Sequence, residues 1–252
     1  MINFFRKIRQ KLLSENRFSK YLIYAIGEII LVVIGILIAL QLNTLQVEKK
    51  NREIEKVLLK NVKKDLESDI QEFKNVKKFK TSQNEASIRL LEYIIDTSKP
   101  LEDTIQFIND FHLILYFIVP SSNRTSFDIA TSTGYLNNIT SDSLVNELSD
   151  YFNNIGLEQH VTETNNLMKN YHMFSKHVMA LDGQGGEYAL ERYSNDNRPI
   201  LQPQDIRGDV SLENYLNQLS IRLKIGIKGL ENEEKWANGL IRKIENQLNS
   251  KE

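Results

Sequence analysis

Residues Tyr21–Leu42 read YLIYAIGEIILVVIGILIALQL, and this stretch decides how the rest of the chain is arranged. It contains 14 leucine, isoleucine or valine residues and two polar residues of consequence, Glu28 and Gln41. About 20 apolar residues in a helix are enough to span the hydrocarbon core of a bilayer. The aliphatic residues favour insertion by roughly 6 kcal/mol, against a cost of about 3 kcal/mol for one acidic residue at the centre. The stretch therefore predicts a transmembrane helix over residues 21–42.

A cleaved signal peptide and a buried core helix are the alternatives for this stretch. A signal peptide also has basic residues before an apolar run, but a typical apolar run is shorter. In addition, Ala39–Leu42 lacks the small-x-small pattern of a cleavage site. A helix that is apolar on every face over this length is rare in the core of a small domain. An uncleaved anchor is the prediction.

The charges on either side of the span bear on its orientation. Six lysine or arginine residues precede it in residues 1–20, and five follow it in residues 43–62. The counts are nearly equal, but a short basic segment resists translocation, whereas a long domain crosses largely regardless of its charge. We therefore expect a cytoplasmic N-terminus, with residues 43–252 outside the cytoplasm.

Residues 1–20 form a basic head with a balance of +5, and residues 43–252 carry −5. The apolar residues of the head fall near one helical face, which predicts a short amphipathic helix on anionic lipid, with headgroup contacts from Arg6, Lys7, Arg9 and Lys11. A disordered tail that only sets the topology explains the same charges. A nucleic-acid-binding protein would spread its basic residues over a folded face, so we expect no nucleic-acid partner.

Glu28 is the polar residue of the span that asks for an explanation. It lies roughly 5–8 Å from the middle of the span, and intramembrane carboxyl groups are candidates for function. Because helical side chains point towards the helix N-terminus, Glu28 is also placed to reach the basic head. Three readings stay open: a structural contact with the head, association with a partner helix together with Gly27 and Gly35, or a role in proton or ion movement. The two glycines are eight residues apart and do not form a GxxxG motif.

The remaining sequence predicts an all-α body with little or no sheet. No glycine occurs between Gly35 and Gly134, so the membrane helix is expected to continue outwards, and a capping box at Ser82–Glu85 is a point where it could restart. Apolar residues then recur at spacings near 3.8, which favours a globular bundle over a strict two-stranded coiled coil. They are Ile54, Leu58, Val62, Leu66, Ile70 and Phe73, followed by Ile88, Leu91 and Ile95.

Later segments of the body are predicted as follows. A helix runs from about Leu101 to Ile118, and Phe111–Val119 forms the centre of the core. Ser126–Thr133 is a short helix closed by Gly134, and Thr140–Asp142 caps a longer one. Residues 182–210 are a long irregular loop, a kind of segment that is often functional. The last helix begins at Ser211, with Val210 and Tyr215 placed for a hydrophobic staple.

No catalytic or metal-binding pattern emerges from the residues. The chain has no cysteine, which excludes disulfides, thiolate metal sites and cysteine nucleophiles. His172 and His177 are five apart and do not share a helical face as ligands would. Gly183–Gly186 lacks both nucleotide-binding glycine patterns, and Arg207–Asp209 spells a cell-adhesion tripeptide that a turn before a helix explains equally well. We expect no enzyme activity, no cofactor and no metal.

Two stretches resemble a known but uncharacterised family. Phe4–Asn43 (FFRKIRQKLLSENRFSKYLIYAIGEIILVVIGILIALQLN) is similar, nearly end to end, to the N-terminus of single-pass membrane proteins abundant in Bacteroidetes-type Gram-negative bacteria. Arg124–Phe152 (RTSFDIATSTGYLNNITSDSLVNELSDYF) resembles their central pattern. The family often has a tryptophan just after the span, where Asn43–Leu45 stands here. The resemblance implies an inner-membrane anchor with a helical periplasmic body, and it carries no known activity.

Two classes of function fit these expectations. One is an interaction or scaffold module that binds a protein partner, or a second copy of itself, at the lipid bilayer. The other is a sensory bundle that binds a small molecule between its helices. Because about 20 residues are expected in the cytoplasm, such a sensor would need a separate output subunit.

Overall fold

The computed structural model describes residues 18–98, 100–114, 116, 118–153 and 206–250. Its helices are α1 (Phe18–Ile95), α2 (Thr104–Leu113), α3 (Thr125–Thr133), α4 (Asp142–Phe152) and α5 (Val210–Asn249), with a 3-10 turn at Tyr135–Asn138. No strand occurs in these residues, and the predicted all-α fold is confirmed. The chain divides into two compact units, Met1–Val57 and Leu58–Glu252, which are described separately.

The first unit contains the apolar stretch. By length and composition, α1 is the one helix among the described residues that could cross a membrane, and its best 18-residue window has a mean hydropathy of 2.7. None of that window is buried by the rest of the protein. A surface helix of a soluble domain buries its apolar stripe, so this exposure on every face fits a helix whose environment is lipid. The limits 21–42 of the span stay a prediction.

The second unit has one core where residues 58–70 of α1 pack against α3, α4 and α5. From α1 this core takes one continuous stripe, as the spacing predicted: Leu58, Val62, Leu66 and Ile70 are buried, together with Leu59. The other helices contribute Phe127, Ala130, Leu144, Leu148, Tyr151, Phe152, Ala237, Leu240 and Ile244.

A second core lies where the last part of α1 packs against α2 and the beginning of α5. It consists of Ala86, Leu90, Ile94, Phe107, Phe111, Ile114, Ile206, Leu212, Tyr215, Leu216, Leu219 and Leu223. A small cluster of Phe73, Val76 and Leu230 lies between the two cores. Contacts at successive levels show that α5 runs antiparallel to α1: Ser220 bonds to Asn84, Glu234 to Lys77 and Glu245 to Lys63.

Two predictions for the end of α1 were wrong. The helix does not restart at Ser82, whose hydroxyl donates to the Lys78 carbonyl within the same helix (3.3 Å). Ile88 and Ile95 are exposed, whereas Ala86, Leu90 and Ile94 are buried. The aliphatic residues here occupy two neighbouring faces, and the face that is buried also carries the polar Gln83 and Ser87, so apolar spacing alone selected the other one.

The predicted core segment Phe111–Val119 was half right. Phe111 and Ile114 are buried, but Tyr116, Ile118 and Val119 are exposed. The helix ends at Leu113 because the buried Gln83 amide donates to the carbonyls of Leu113 (2.8 Å) and Tyr116 (2.6 Å), which satisfies them without another helical turn. At its other end, the Asp103 carboxylate caps the helix by accepting from the Gln106 amide. The helix therefore begins at Thr104, three residues after the predicted start at Leu101.

Two predicted helix ends are confirmed. Gly134 closes α3 in the left-handed conformation (φ 74°), and the Ser141 hydroxyl caps α4 by accepting from the Leu144 amide. The start of α5 differs: Asp209 caps it, so it begins at Val210, and Val210 is too exposed (65%) for the predicted staple. Of the predicted 182–210 loop, residues 182–205 lie outside the described part of the chain, as does the predicted continuation of α4 beyond residue 153.

The two kinds of glycine in these helices predict opposite effects of alanine. Gly134→Ala is expected to destabilise the protein by roughly 1–2 kcal/mol, because a side chain is strained at positive φ. Gly239→Ala is the matched control, since no atom lies within 4 Å of its added Cβ, and it should stabilise by up to about 1 kcal/mol. Urea unfolding of the full chain in mild detergent, followed by Trp236 fluorescence, measures both. If both substitutions changed the free energy of unfolding equally and in the same direction, the different backbone roles given to Gly134 and Gly239 would be contradicted.

Candidate functional site

The predicted membrane residues lie in the first unit. Gly27 and Gly35 have no neighbouring atom within 4 Å of an added Cβ, so the protein itself does not fill the space beside either one. Glu28 is partly exposed and makes an interaction of its own. The proposed headgroup residues Arg6, Lys7, Arg9 and Lys11 are outside the described residues. The roles of Gly27, Glu28 and Gly35 and of the four basic residues stay predictions.

Asp69, on the buried face of α1, accepts three hydrogen bonds from other parts of the second unit. Its side chain is 1% exposed. One carboxylate oxygen accepts from the Asn123 backbone amide (2.6 Å), and the other accepts from the hydroxyls of Ser122 (2.7 Å) and Tyr151 (2.9 Å). Asp69 thus joins α1 to the segment before α3 and to α4.

Asp65 acts one turn earlier on the same face. Its carboxylate accepts from the Ser126 amide (2.8 Å) in the first turn of α3. That amide is one of the helix N-terminal donors that have no partner within the helix, and a carboxylate at a helix N-terminus is favoured by the helix dipole. Asp65 and Asp69 together hold the chain from Ser122 to Ser126 against α1.

Arg124 lies inside that segment and connects it to the C-terminal end of α4. Its guanidinium donates to the Phe152 carbonyl (2.7 Å) at the C-terminus of α4 and pairs with Asp128. The rings of Phe127 and Phe152 also stack, with their centres 4.9 Å apart. Arg124 and Phe152, the two ends of this stretch of sequence, are therefore hydrogen-bonded to each other.

Burial sets the electrostatics of this cluster. It raises the pKa of Asp69, and the hydrogen bonds from Asn123, Ser122 and Tyr151 oppose that rise. It also raises the pKa of Tyr151 well above its usual range, with the neighbouring Asp69 adding to the effect. Tyr151 therefore remains a protonated donor. Both Asp69 oxygens accept from groups of the chain itself. The cluster therefore holds the segment before α3 and the end of α4 in place against α1.

A second polar cluster lies between the end of α1 and α2. The Asp110 carboxylate, 4% exposed, receives two parallel bonds of 2.7 Å from the Arg89 guanidinium and a third from the Gln106 amide. Beside it is an open cavity of about 240 Å³. Its walls combine carboxylates, aromatic rings and aliphatic groups, including Glu92, Glu102, Tyr93, Phe107, Leu101 and Pro100.

The tripeptide Arg207–Asp209 has a local structural role. Arg207 donates to the carbonyls of Asp96 and Thr97 after the end of α1, and its guanidinium lies 4.3 Å from the centre of the Tyr93 ring. The Gly208 amide donates to the Ile94 carbonyl (3.1 Å), and Asp209 caps α5. This supports the prediction of a turn that leads into a helix.

Sequence analysis missed the polar groups of both clusters. A signal for Asp65 and Asp69 was present, since they fall within the arc formed by Val62, Leu66 and Ile70, where an apolar residue is expected. Of the four histidines, the structure describes His112, whose pKa burial lowers. The described residues contain no group of three or more metal-ligating side chains. Gly183–Gly186 and the other histidines lie outside them.

The sequence model of a family of unknown function (DUF6090) matches residues 28–176. The chain belongs to this family. The match begins within the apolar stretch and includes both carboxylates of the Asp65–Asp69 pair, the Arg89–Asp110 pair and the segment from Arg124 to Phe152. No curated protein matches the chain, and no solved structure does.

The bond between Tyr151 and Asp69 predicts a specific loss of stability. Tyr151→Phe should destabilise the full chain by roughly 1.5–3 kcal/mol, because it removes one of the hydrogen bonds to a buried charged group. Urea unfolding in mild detergent at neutral pH gives the value. Tyr93→Phe is the control, since its ring contacts Phe107 and no hydrogen bond of its hydroxyl is present among the described residues. Equal losses from both variants would contradict this role of Tyr151.

The same variant should show a pH dependence. The pKa of Asp69 is raised on folding, so the folded state holds this proton more tightly, and the group's own contribution to stability falls as pH rises through that pKa. The ionised carboxylate accepts a stronger bond from Tyr151 than the acid does. The difference between wild type and Tyr151→Phe should therefore grow with rising pH.

Proposed function

We propose that the protein is a single-pass anchor of the Gram-negative inner membrane that presents a helical interaction or scaffold module in the periplasm and performs no catalysis. The observation that carries the proposal is the apolar stretch of α1, which is exposed along its whole length. The N-terminus lies in the cytoplasm in this proposal, and the partners are the lipid bilayer and either another protein or a second copy of the chain.

The use of the buried polar groups supports a binding role over a catalytic one. Asp65 and Asp69 hold the segment before α3, Asp110 is paired with Arg89, and Gln83 ends α2. A catalytic carboxyl needs access to a substrate and a pKa matched to proton transfer. These groups instead bond to the chain itself, which produces a body of fixed shape.

The absence of cysteine makes the orientation directly testable. Ser250→Cys lies at the exposed end of α5 and should react with a membrane-impermeant maleimide on intact spheroplasts. Ser14→Cys, in the basic head, should react only after lysis. The unmodified chain, which has no thiol, is the control for background labelling. Labelling of Ser14→Cys before lysis, with protection of Ser250→Cys, would reverse the proposed topology.

Photocrosslinking in intact cells tests the interaction module. Benzoylphenylalanine replaces exposed apolar residues on two parts of the body: Ile221 and Ile225 on α5, and Ile129 and Tyr135 near α3. Ile221 and Ile225 are one helical turn apart, so a specific partner that contacts one should form the same adduct with the other. An adduct of twice the chain mass identifies a second copy. Dark samples give the background. If irradiation produced no adduct above this background at any of the four positions, the proposal would be contradicted.

The cavity beside Asp110 favours the alternative of a small-molecule-binding sensory bundle. Glu92 and Glu102 add negative charge to its walls, and the Tyr93 and Phe107 rings, 5.1 Å apart, provide apolar surface. These walls suit a small organic cation. Saturable stabilisation by such a compound, lost when Leu101→Trp fills the cavity, would favour the sensor over the scaffold.

A further inference from the structure

Lys80 differs from three other lysines of α1 in the α5 residue that lies opposite it, and each such pair of facing positions is called a level below. Lys63 pairs with Glu245 (2.6 Å), while Lys74 (3.8 Å) and Lys77 (3.2 Å) share the single carboxylate of Glu234. At each of these levels α5 supplies a carboxylate to a lysine of α1. At the level of Lys80 it supplies Gly226.

The side chain of Lys80 lies flat against the α5 backbone. Its Cδ, Cε and Nζ atoms are 3.6, 3.7 and 3.8 Å from the position that a Cβ on Gly226 would occupy. The residue is partly buried, and burial lowers its pKa. Throughout the described part of the chain, no residue forms a hydrogen bond or an ion pair with its ammonium group. A partly buried charge without a partner is costly, whereas its neighbours on the same face are paired.

The surrounding segment has an excess of positive charge. Lys74, Lys77, Lys78 and Lys80 fall within seven residues of α1, and Glu234 is the carboxylate that two of them share. Across from them, α5 adds Lys224 and Lys228, the second of which pairs with Glu231. An oxyanion that enters here gains the attraction of several cations and meets an ammonium group to which no described residue is bonded.

We propose that Lys80 is the anchoring residue of an anion-binding site between α1 and α5, which takes a single carboxylate or phosphate group of a bound molecule. The ammonium donates to the oxyanion, Gly226 lets the Lys80 side chain lie close to α5, and Lys77 contributes charge from the next turn. This site is separate from the cavity beside Asp110, and it stands whether or not the body also binds a protein.

Competitive acylation tests the site on the full chain in mild-detergent micelles. Each lysine is labelled briefly with a water-soluble acetylating reagent in chloride, acetate or inorganic phosphate at equal ionic strength, and its rate is read by mass spectrometry. At an anion concentration of about twice the Kd, the rate at Lys80 should fall roughly threefold, because about one third of the site remains free. The exposed Lys78 is the internal control and should not change. Protection by phosphate alone would indicate a site for a phosphate group, and protection by acetate as well would indicate that a carboxylate is also accepted.

Two substitutions at Gly226 provide the decisive comparison. Gly226→Glu supplies the carboxylate that α5 provides at the other levels, so it should abolish the protection of Lys80 by added anions. Gly226→Ala should retain it, since an added Cβ makes ordinary contacts with Lys80. Both substitutions lie within a helix at a position where no positive φ is required. Equal protection in both variants would overturn the proposal.

Lys80→Met gives an independent readout. Phosphate should raise the melting temperature of the wild type and of Lys78→Met in a concentration-dependent manner, but not that of Lys80→Met. A rise that survives in Lys80→Met would overturn the assignment. So would identical Lys80 acylation in all three salts, or a zero-length carbodiimide crosslink from Lys80 to a carboxylate of the same chain, which would identify an internal partner.

Discussion

The structure of the body depends on covering one face of α1. From Leu58 to Ile94 that face is about 55 Å long at 1.5 Å per residue, and it carries apolar residues along its whole length. The short helices α2, α3 and α4, of 9 to 11 residues each, cannot cover this distance singly. Helix α5, with 40 residues, packs antiparallel along it, while α3 and α4 complete one end and α2 completes the other. Two cores with a narrower segment between them follow from this division.

The polar residues on the same face decide how the covering segments are positioned. A buried carboxylate or amide must be hydrogen-bonded, so each of these groups selects a backbone segment that can satisfy it. Asp65 and Asp69 select Ser122–Ser126, and Gln83 selects the end of α2. An apolar side chain at these positions would pack against almost any neighbour, whereas a carboxylate requires donors at defined places. Hydrophobic burial thus drives the association of the helices, and these polar groups position the start of α3 and the end of α2.

The fold class and the helix ends at Ser141 and Gly134 could be predicted because they depend on local rules. Helical periodicity, the hydroxyl cap at Ser141 and the left-handed Gly134 are all determined within a few residues. The polar clusters could not, since Asp69 meets Ser122, Asn123 and Tyr151 across more than fifty positions of sequence. The face of α1 near Leu90 was misassigned for a related reason: which of two aliphatic faces is buried depends on α2 and α5. The predicted membrane residues had a signal in composition, but their roles depend on lipid or on partner helices.

The positions of the charges bear on the proposal that the body recognises other molecules through its surface. Where α1 meets α3 and α4, the buried carboxylates of Asp65 and Asp69 accept hydrogen bonds from groups of the chain itself. Between the two cores the matching is incomplete, because two lysines share Glu234 and Lys80 faces a glycine. A protein that needed stability alone would gain from an apolar residue at Lys80, since replacing a desolvated charge removes its solvation penalty. A negatively charged group that arrives from outside the bundle would offset this penalty, which is the role proposed for the site at Lys80.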